Sequence, residues 1–158
     1  MKFLLEVVDA CIEAVGAEKV AIRLSPYGRI QGIQEYPEET QTFQYIAKEL
    51  SQRNISFVHL MNQIIEGKPT ISTDALEQFR SWYNGVIIYA GGLDKESAED
   101  LIKRNIIDLA AFGQLFISNP DLTSRMKNDQ PLIPALRNFF YGGGKEGYID
   151  YPSYQEEG

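Results

Sequence analysis

Arg23 makes the strongest chemical demand in the sequence. It stands within Lys19-Val20-Ala21-Ile22-Arg23-Leu24, an otherwise apolar run, where an unpaired guanidinium would be costly to bury. It needs either a carboxylate elsewhere in the chain or an anionic or electron-rich ligand met at the carboxyl end of a strand. Glycines form a second constellation. Gly91-Gly92 follows one apolar run and Gly113 follows the next. Backbone N–H groups converge on an anion where no Cβ blocks the approach, so glycines after two consecutive strands read as a phosphate cradle, with plain turn residues as the alternative. Gln114 is then either a solvated loop residue or a neutral hydrogen-bond donor to the same anion.

The remaining reactive side chains point less sharply. His59 lies among Phe57, Val58 and Leu60 and reads as a satisfied interior histidine rather than a base. Cys11 has no basic neighbour to favour a thiolate and reads as a small core residue. Glu35, Glu38 and Glu39 read as a solvated loop and helix start, and no carboxylate pair is diagnostic of acid–base work. No catalytic residue is assigned on these grounds. Phe139, Phe140 and Tyr141 precede Gly142-Gly143-Gly144, which puts large rings on a strip that either folds over a pocket or pins the C-terminal segment.

These residues need elements to hold them. Leu4, Val7, Val8, Cys11, Ile12 and Val15 recur at helical spacing, and Gly16 follows where a left-handed cap would close the helix. A first strand then runs from Lys19 to Leu24, ended by the turn chemistry of Ser25-Pro26-Tyr27-Gly28. Pro37 starts a second helix with Phe43, Ile46, Ala47 and Leu50 inside, ending near Asn54. The alternation continues: a strand from Ile55 to Leu60, and a helix capped by Asp74 with Leu76, Phe79 and Tyr83 inside. Next come a strand from Val86 to Ala90 and a helix capped by Asp94 with Ala98, Leu101 and Ile102 inside. A strand from Asp108 to Phe112 follows, and Asn119-Pro120 opens a last helix. From Asp129 onward the chain is rich in Gly, Pro and Tyr and reads as a C-terminal arm of one single domain spanning residues 1–158.

Strands alternating with helices favour a parallel sheet. Strand starts near 20, 55, 86 and 108 give roughly 30 residues per unit, the spacing of a (β/α)8 barrel. Four units fit half of such a barrel or a small doubly wound sheet. The glycines after the last two strands favour the half barrel, because barrels commonly bind phosphate there.

Composition narrows the partners. The 158 residues are 44% hydrophobic and 23% charged, enough for a core, and 15 Lys and Arg against 22 Asp and Glu leave a net charge of −7. That sign opposes binding to nucleic acid or an anionic membrane. One cysteine and one histidine leave no internal disulfide and no Cys/His zinc set, so no metal is expected and a reducing, cytoplasmic setting fits. No apolar run approaches the roughly 20 residues of a membrane-spanning helix.

Four segments in register carry a resemblance. Ala21-Ile22-Arg23-Leu24-Ser25-Pro26-Tyr27-Gly28 is similar to the "RLSP" strand of the Old Yellow Enzyme family of flavin-dependent ene reductases. Tyr89-Ala90-Gly91-Gly92-Leu93-Asp94 agrees with it in order and spacing. So do Ala111-Phe112-Gly113-Gln114 with Phe116-Ile117-Ser118-Asn119-Pro120-Asp121-Leu122, and Phe140-Tyr141 through Gly147-Tyr148-Ile149-Asp150-Tyr151-Pro152. The resemblance covers the chain but only the C-terminal half of the family's barrel.

The resemblance implies noncovalent FMN, NAD(P)H as reductant and an activated alkene as substrate. It implies Arg23 near the flavin pyrimidine edge, stabilising the anion of reduced flavin. It further implies Gly91, Gly92 and Gly113 around the FMN phosphate, Phe140 against the flavin and Tyr141 toward substrate. Gln114 stands where the family usually has arginine, which removes a phosphate-pairing charge and implies weaker FMN binding. The family's substrate-binding His/Asn or His/His pair and its proton-donating tyrosine belong to the other half. A complementary N-terminal half-barrel chain or self-association is therefore expected, with a non-catalytic flavin- or phosphate-binding module or an inactive remnant as the alternative.

Overall fold

The computed structural model describes residues 1–141 and 144–155. Gly142 and Gly143 of the glycine strip lie outside the described residues. Two compact units are present, Met1–Ala111 and Phe112–Gly158.

The first unit is built on four parallel strands: β1 (Ala21–Leu24), β2 (Phe57–Met61), β5 (Val86–Ala90) and β6 (Leu109–Ala111), in the order β1-β2-β5-β6. A short antiparallel hairpin, β3 (Ile64–Ile65) with β4 (Lys68–Pro69), leaves the carboxyl end of β2. Its turn, Glu66-Gly67, has positive φ at both residues, the geometry of a tight two-residue hairpin connection.

Helices cover one face of the sheet. They are α1 (Lys2–Val15), α2 (Glu39–Arg53), α3 (Thr73–Trp82) and α4 (Lys95–Lys103). Side chains alternate along a strand, and the register puts Leu24, Leu60 and Tyr89 in one row and Val58 and Ile87 in another, all buried. They pack with Ile46, Leu50, Leu76 and Phe79 from α2 and α3 into one core. Burial of such aliphatic and aromatic side chains contributes about 1.5–3 kcal/mol each, which outweighs the modest intrinsic propensity of these short elements.

Several local expectations are corrected. Gly16 has φ 91° and ψ 145°, so it turns the chain out of α1 without the left-handed helical conformation; Asn54 adopts that conformation at the end of α2 (φ 50°, ψ 42°). Ser72, not Asp74, caps α3 by accepting the Ala75 N–H at 3.2 Å. Asp94 does cap α4, in a reciprocal box with Ser97, and this hydrogen bonding holds its carboxyl below the usual range. Ile102 is exposed rather than inward. On α1 the buried positions are Leu5 and Val8, whereas Val7, Cys11 and Val15 face outward. The apolar arc of α1 is wider than the stripe its packing uses, and Cys11 falls on the uncovered side.

The second unit holds α5 (Gln114–Ser118) and α6 (Leu122–Lys127). Asn119 does not cap α6. Its buried side chain donates to Leu115 O and Ile133 O, both at 2.9 Å, and accepts from Ile133 N at 2.8 Å. The buried Arg125 binds Asp121 at 2.7 Å and the Pro131 and Pro152 carbonyls at 2.9 Å. Two polar side chains thus organise a segment with no hydrophobic periodicity, because each satisfies several backbone groups of the following chain.

Candidate functional site

The face of the sheet away from the helices carries Arg23, His59, Ile88 and Leu109 in one row, by register. Arg23 is exposed, and Nη2 reaches Met61 Sδ at 2.7 Å, two residues beyond its register partner His59 toward the carboxyl end of β2. Met61 pairs with Ala90, the residue before Gly91. Neighbouring strands lie about 4.8 Å apart, so the sheet places this guanidinium near the Gly91 turn. No carboxylate pairs with Arg23 among the described residues, which removes the internal salt bridge as its explanation.

His59 is not a satisfied interior histidine. It is half-buried, and Nε2 has no hydrogen-bond partner among the described residues. Burial, with the Arg23 charge adding to it, pushes its pKa down, so the ring is neutral at pH 7 and poorly suited to deliver a proton there.

Gly91 and Gly92 form the turn after β5. Both residues have positive φ, 106° and 75°. A Cβ on Gly91 would lie 2.3 Å from Asn62 O, and one on Gly92 would lie 2.8 Å from Ile64 Cδ1. Backbone crowding at Gly91 and positive φ at both residues favour glycine here. Gly113 differs: its φ is −102°, and a Cβ there would meet nothing within 4 Å. It is exposed and starts the five-residue α5 with Gln114, which is also exposed. Phe140 is half-buried and stacks edge-on with Tyr141 at 6.3 Å. Tyr141 is 98% exposed, so its ring does not pin the C-terminal segment.

Sequence reasoning missed the residues that tie the carboxyl ends of the strands together. Asn62, 3% exposed, donates from Nδ2 to Gly91 O at 3.0 Å and accepts at Oδ1 from Ile71 N at 3.0 Å and Thr70 Oγ1 at 3.3 Å. Gln63 accepts Arg29 N at 3.0 Å. Arg29 in turn grips Glu39 through two bonds of 2.9 and 2.7 Å, and Glu39 is buried rather than solvated. The loops after β1, β2 and β5 are therefore hydrogen-bonded into one unit. The only sequence signal was a polar pair placed directly after an apolar strand, where loops of α/β folds converge.

A separate cavity of about 320 Å³, lined by Leu50, Ser51, Ile55, Tyr83 and Gly85 among others, opens at the opposite, amino-terminal end of the strands. Among the described residues no cluster of His, Cys, Asp and Glu could hold a metal ion, and no helix is long and apolar enough to cross a membrane.

The glycine turn after β5 and the Arg23 guanidinium, which has no carboxylate partner among the described residues, both lie toward the carboxyl ends of the parallel strands. Residues 1–132 match the model of the NADH:flavin oxidoreductase / NADH oxidase family. The chain belongs to this family. Chanoclavine-I aldehyde reductase of Penicillium roqueforti is 37% identical over 157 residues, covering 95% of this chain and 42% of that protein. Morphinone reductase, also solved in complex with tetrahydroNAD, superposes with a TM-score of 0.88 at 36% identity, over 97% of this chain and 41% of that one. The old yellow enzyme of Trypanosoma cruzi gives a TM-score of 0.88 at 27% identity, over 98% and 40%. The Old Yellow Enzyme resemblance and the half-barrel fold are thereby established. The chain spans about two-fifths of the length of the relatives it matches.

Proposed function

We propose that this family member is the phosphate-cradling half of an FMN-dependent, NAD(P)H-consuming ene reductase, which reduces activated alkenes once a complementary half-barrel completes it. The observation that carries the reading is the Gly91-Gly92 turn, crowded at Gly91 and exposed at Gly92, at the tip of β5, whose neighbour β2 carries the Met61 that Arg23 reaches. Bound FMN supplies the hydride-carrying chemistry. Gly91 and Gly92 offer backbone N–H groups to its phosphate, and Arg23 sets its positive charge against the electron-rich edge of the flavin. The assignments of Gly113 and Gln114 to phosphate, of Phe140 to flavin and of Tyr141 to substrate rest on family resemblance alone.

The complementary half-barrel supplies the remaining residues of the site. On a separate chain or as a second copy of this one, it covers the open sheet face, where Val86 and Leu109 are exposed, and adds the proton donor. A reducing cytoplasm suits the exposed Cys11 thiol.

One observation favours a second reading, a flavin-binding module without catalysis. The only titratable groups in the Arg23 row of the open face are Arg23 and a neutral His59, and neither delivers a proton to an alkene at pH 7. The test is to load the chain with FMN, alone and with a family N-terminal half, and add NADPH without oxygen. Bleaching of the flavin band and alkene-dependent recovery with the half present are expected. Bound flavin that NADPH never bleaches in either mixture would leave only the binding module.

A further inference from the structure

The Asn62 side chain belongs to no established role, yet it makes the contact that fixes the cradle. Its Nδ2 holds the Gly91 carbonyl at 3.0 Å, and its Oδ1 is itself held by Ile71 N and Thr70 Oγ1. Both ends of the amide are therefore engaged, and the group is buried. The Gly91–Gly92 peptide is trans, and a planar trans peptide sets its C=O and N–H in opposite directions. Anchoring the Gly91 carbonyl on Asn62 consequently turns the Gly92 N–H away from Asn62. No hydrogen bond among the described residues uses that N–H, and Gly92 is exposed.

We infer that Asn62 is a positioning residue for anion binding: it orients the Gly91–Gly92 peptide so that the Gly92 N–H faces a phosphate monoester. The identity of the anion as FMN rests on the reading above; the orientation does not. A free backbone turn with two glycines samples many conformations, and ordering them on binding would weaken affinity. Asn62 orders the turn beforehand. The neighbouring Gln63–Arg29 contact ties the loop after β1 to the same frame.

The test compares FMN with riboflavin, the same ring system without phosphate, by fluorescence titration on the full chain. Asn62→Ala should lower FMN affinity about tenfold, the scale of one lost hydrogen bond of ~1.4 kcal/mol, and leave riboflavin within about twofold. Thr70→Val, which removes one of the two contacts that hold Asn62 Oδ1, should weaken FMN less than Asn62→Ala does and leave riboflavin within about twofold. Equal losses for FMN and riboflavin would mean a structural role and overturn the inference while sparing the flavin reading. Should Asn62→Ala fail to fold, Asn62→Ser, a small polar replacement too short to reach the Gly91 carbonyl as the amide does, carries the same comparison. Inorganic phosphate provides the independent arm, read at the Gly92 amide by NMR. If the wild type binds no flavin, a phosphate shift present in wild type and absent in the Asn62 variant sustains the positioning role alone. A shift that persists in the variant refutes that role, and no shift at all refutes both proposals.

Discussion

Replacing Gly91 with alanine tests whether the turn after β5 is as constrained as its geometry says. At φ 106° an L residue is strained, at about 1–3 kcal/mol. The new Cβ would also sit 2.3 Å from the Asn62 carbonyl oxygen, an obstacle of backbone that cannot rotate away. Overpacking of this kind adds about 1–3 kcal/mol, so the total destabilisation lies at about 2–6 kcal/mol. Gly113→Ala is the internal control, since its φ is negative and a Cβ there meets nothing; a change within about 0.5 kcal/mol is expected. Urea unfolding of both variants beside the parent, followed by tryptophan fluorescence from Trp82, reads the difference. A Gly91→Ala protein that unfolds within 0.5 kcal/mol of the parent would refute the reasoning, because neither strain nor contact would then be real.

Three other outcomes are expected. His59 has a pKa below the ordinary 6.5, from burial first and the Arg23 charge second; the unfolded chain then binds more protons, so the stability this gives is full above 6.5 and is lost as pH falls below it. The urea midpoint should drop between pH 7 and pH 5 more in the parent than in His59→Leu, and parallel profiles would contradict this. The Tyr83 hydroxyl is buried without a partner among the described residues, so Tyr83→Phe should stabilise by about 1 kcal/mol in the same assay, and a loss of that size would reveal a hidden partner. Asn119→Ala removes three hydrogen bonds to the chain around Leu115 and Ile133; limited proteolysis should cut near residue 133 at least tenfold faster, and unchanged cleavage would contradict the role of Asn119.

The periodic part of the molecule was legible from residue order. Val86 to Ala90 is a strand at the expected limits, and the strand expected from Lys19 begins two residues later, after a 3-10 turn over Ala17–Lys19. Helix caps were harder, since Ser72 and Asp74 are both good cap residues and only the path of the chain chooses between them. Burial of α1 failed at Val7, Cys11 and Val15 because apolar spacing marks which residues could be covered, not which are. At the candidate site the glycines and Arg23 stood out by type, as residues out of keeping with their surroundings. Asn62, Gln63, Arg29 and Glu39 did not, because a polar residue near a strand end looks solvated until a partner 10 to 34 positions away closes on it.

The account is tested most directly by adding FMN to the 15N-labelled chain and following backbone amides and the arginine Nε–H resonances. Saturable shifts should concentrate at Gly91, Gly92 and the Arg23 side chain, with residues of the amino-terminal cavity such as Asn54 and Gly85 unmoved. Shifts confined to that cavity, or none at millimolar FMN, would contradict the assignment of the flavin phosphate to the turn after β5.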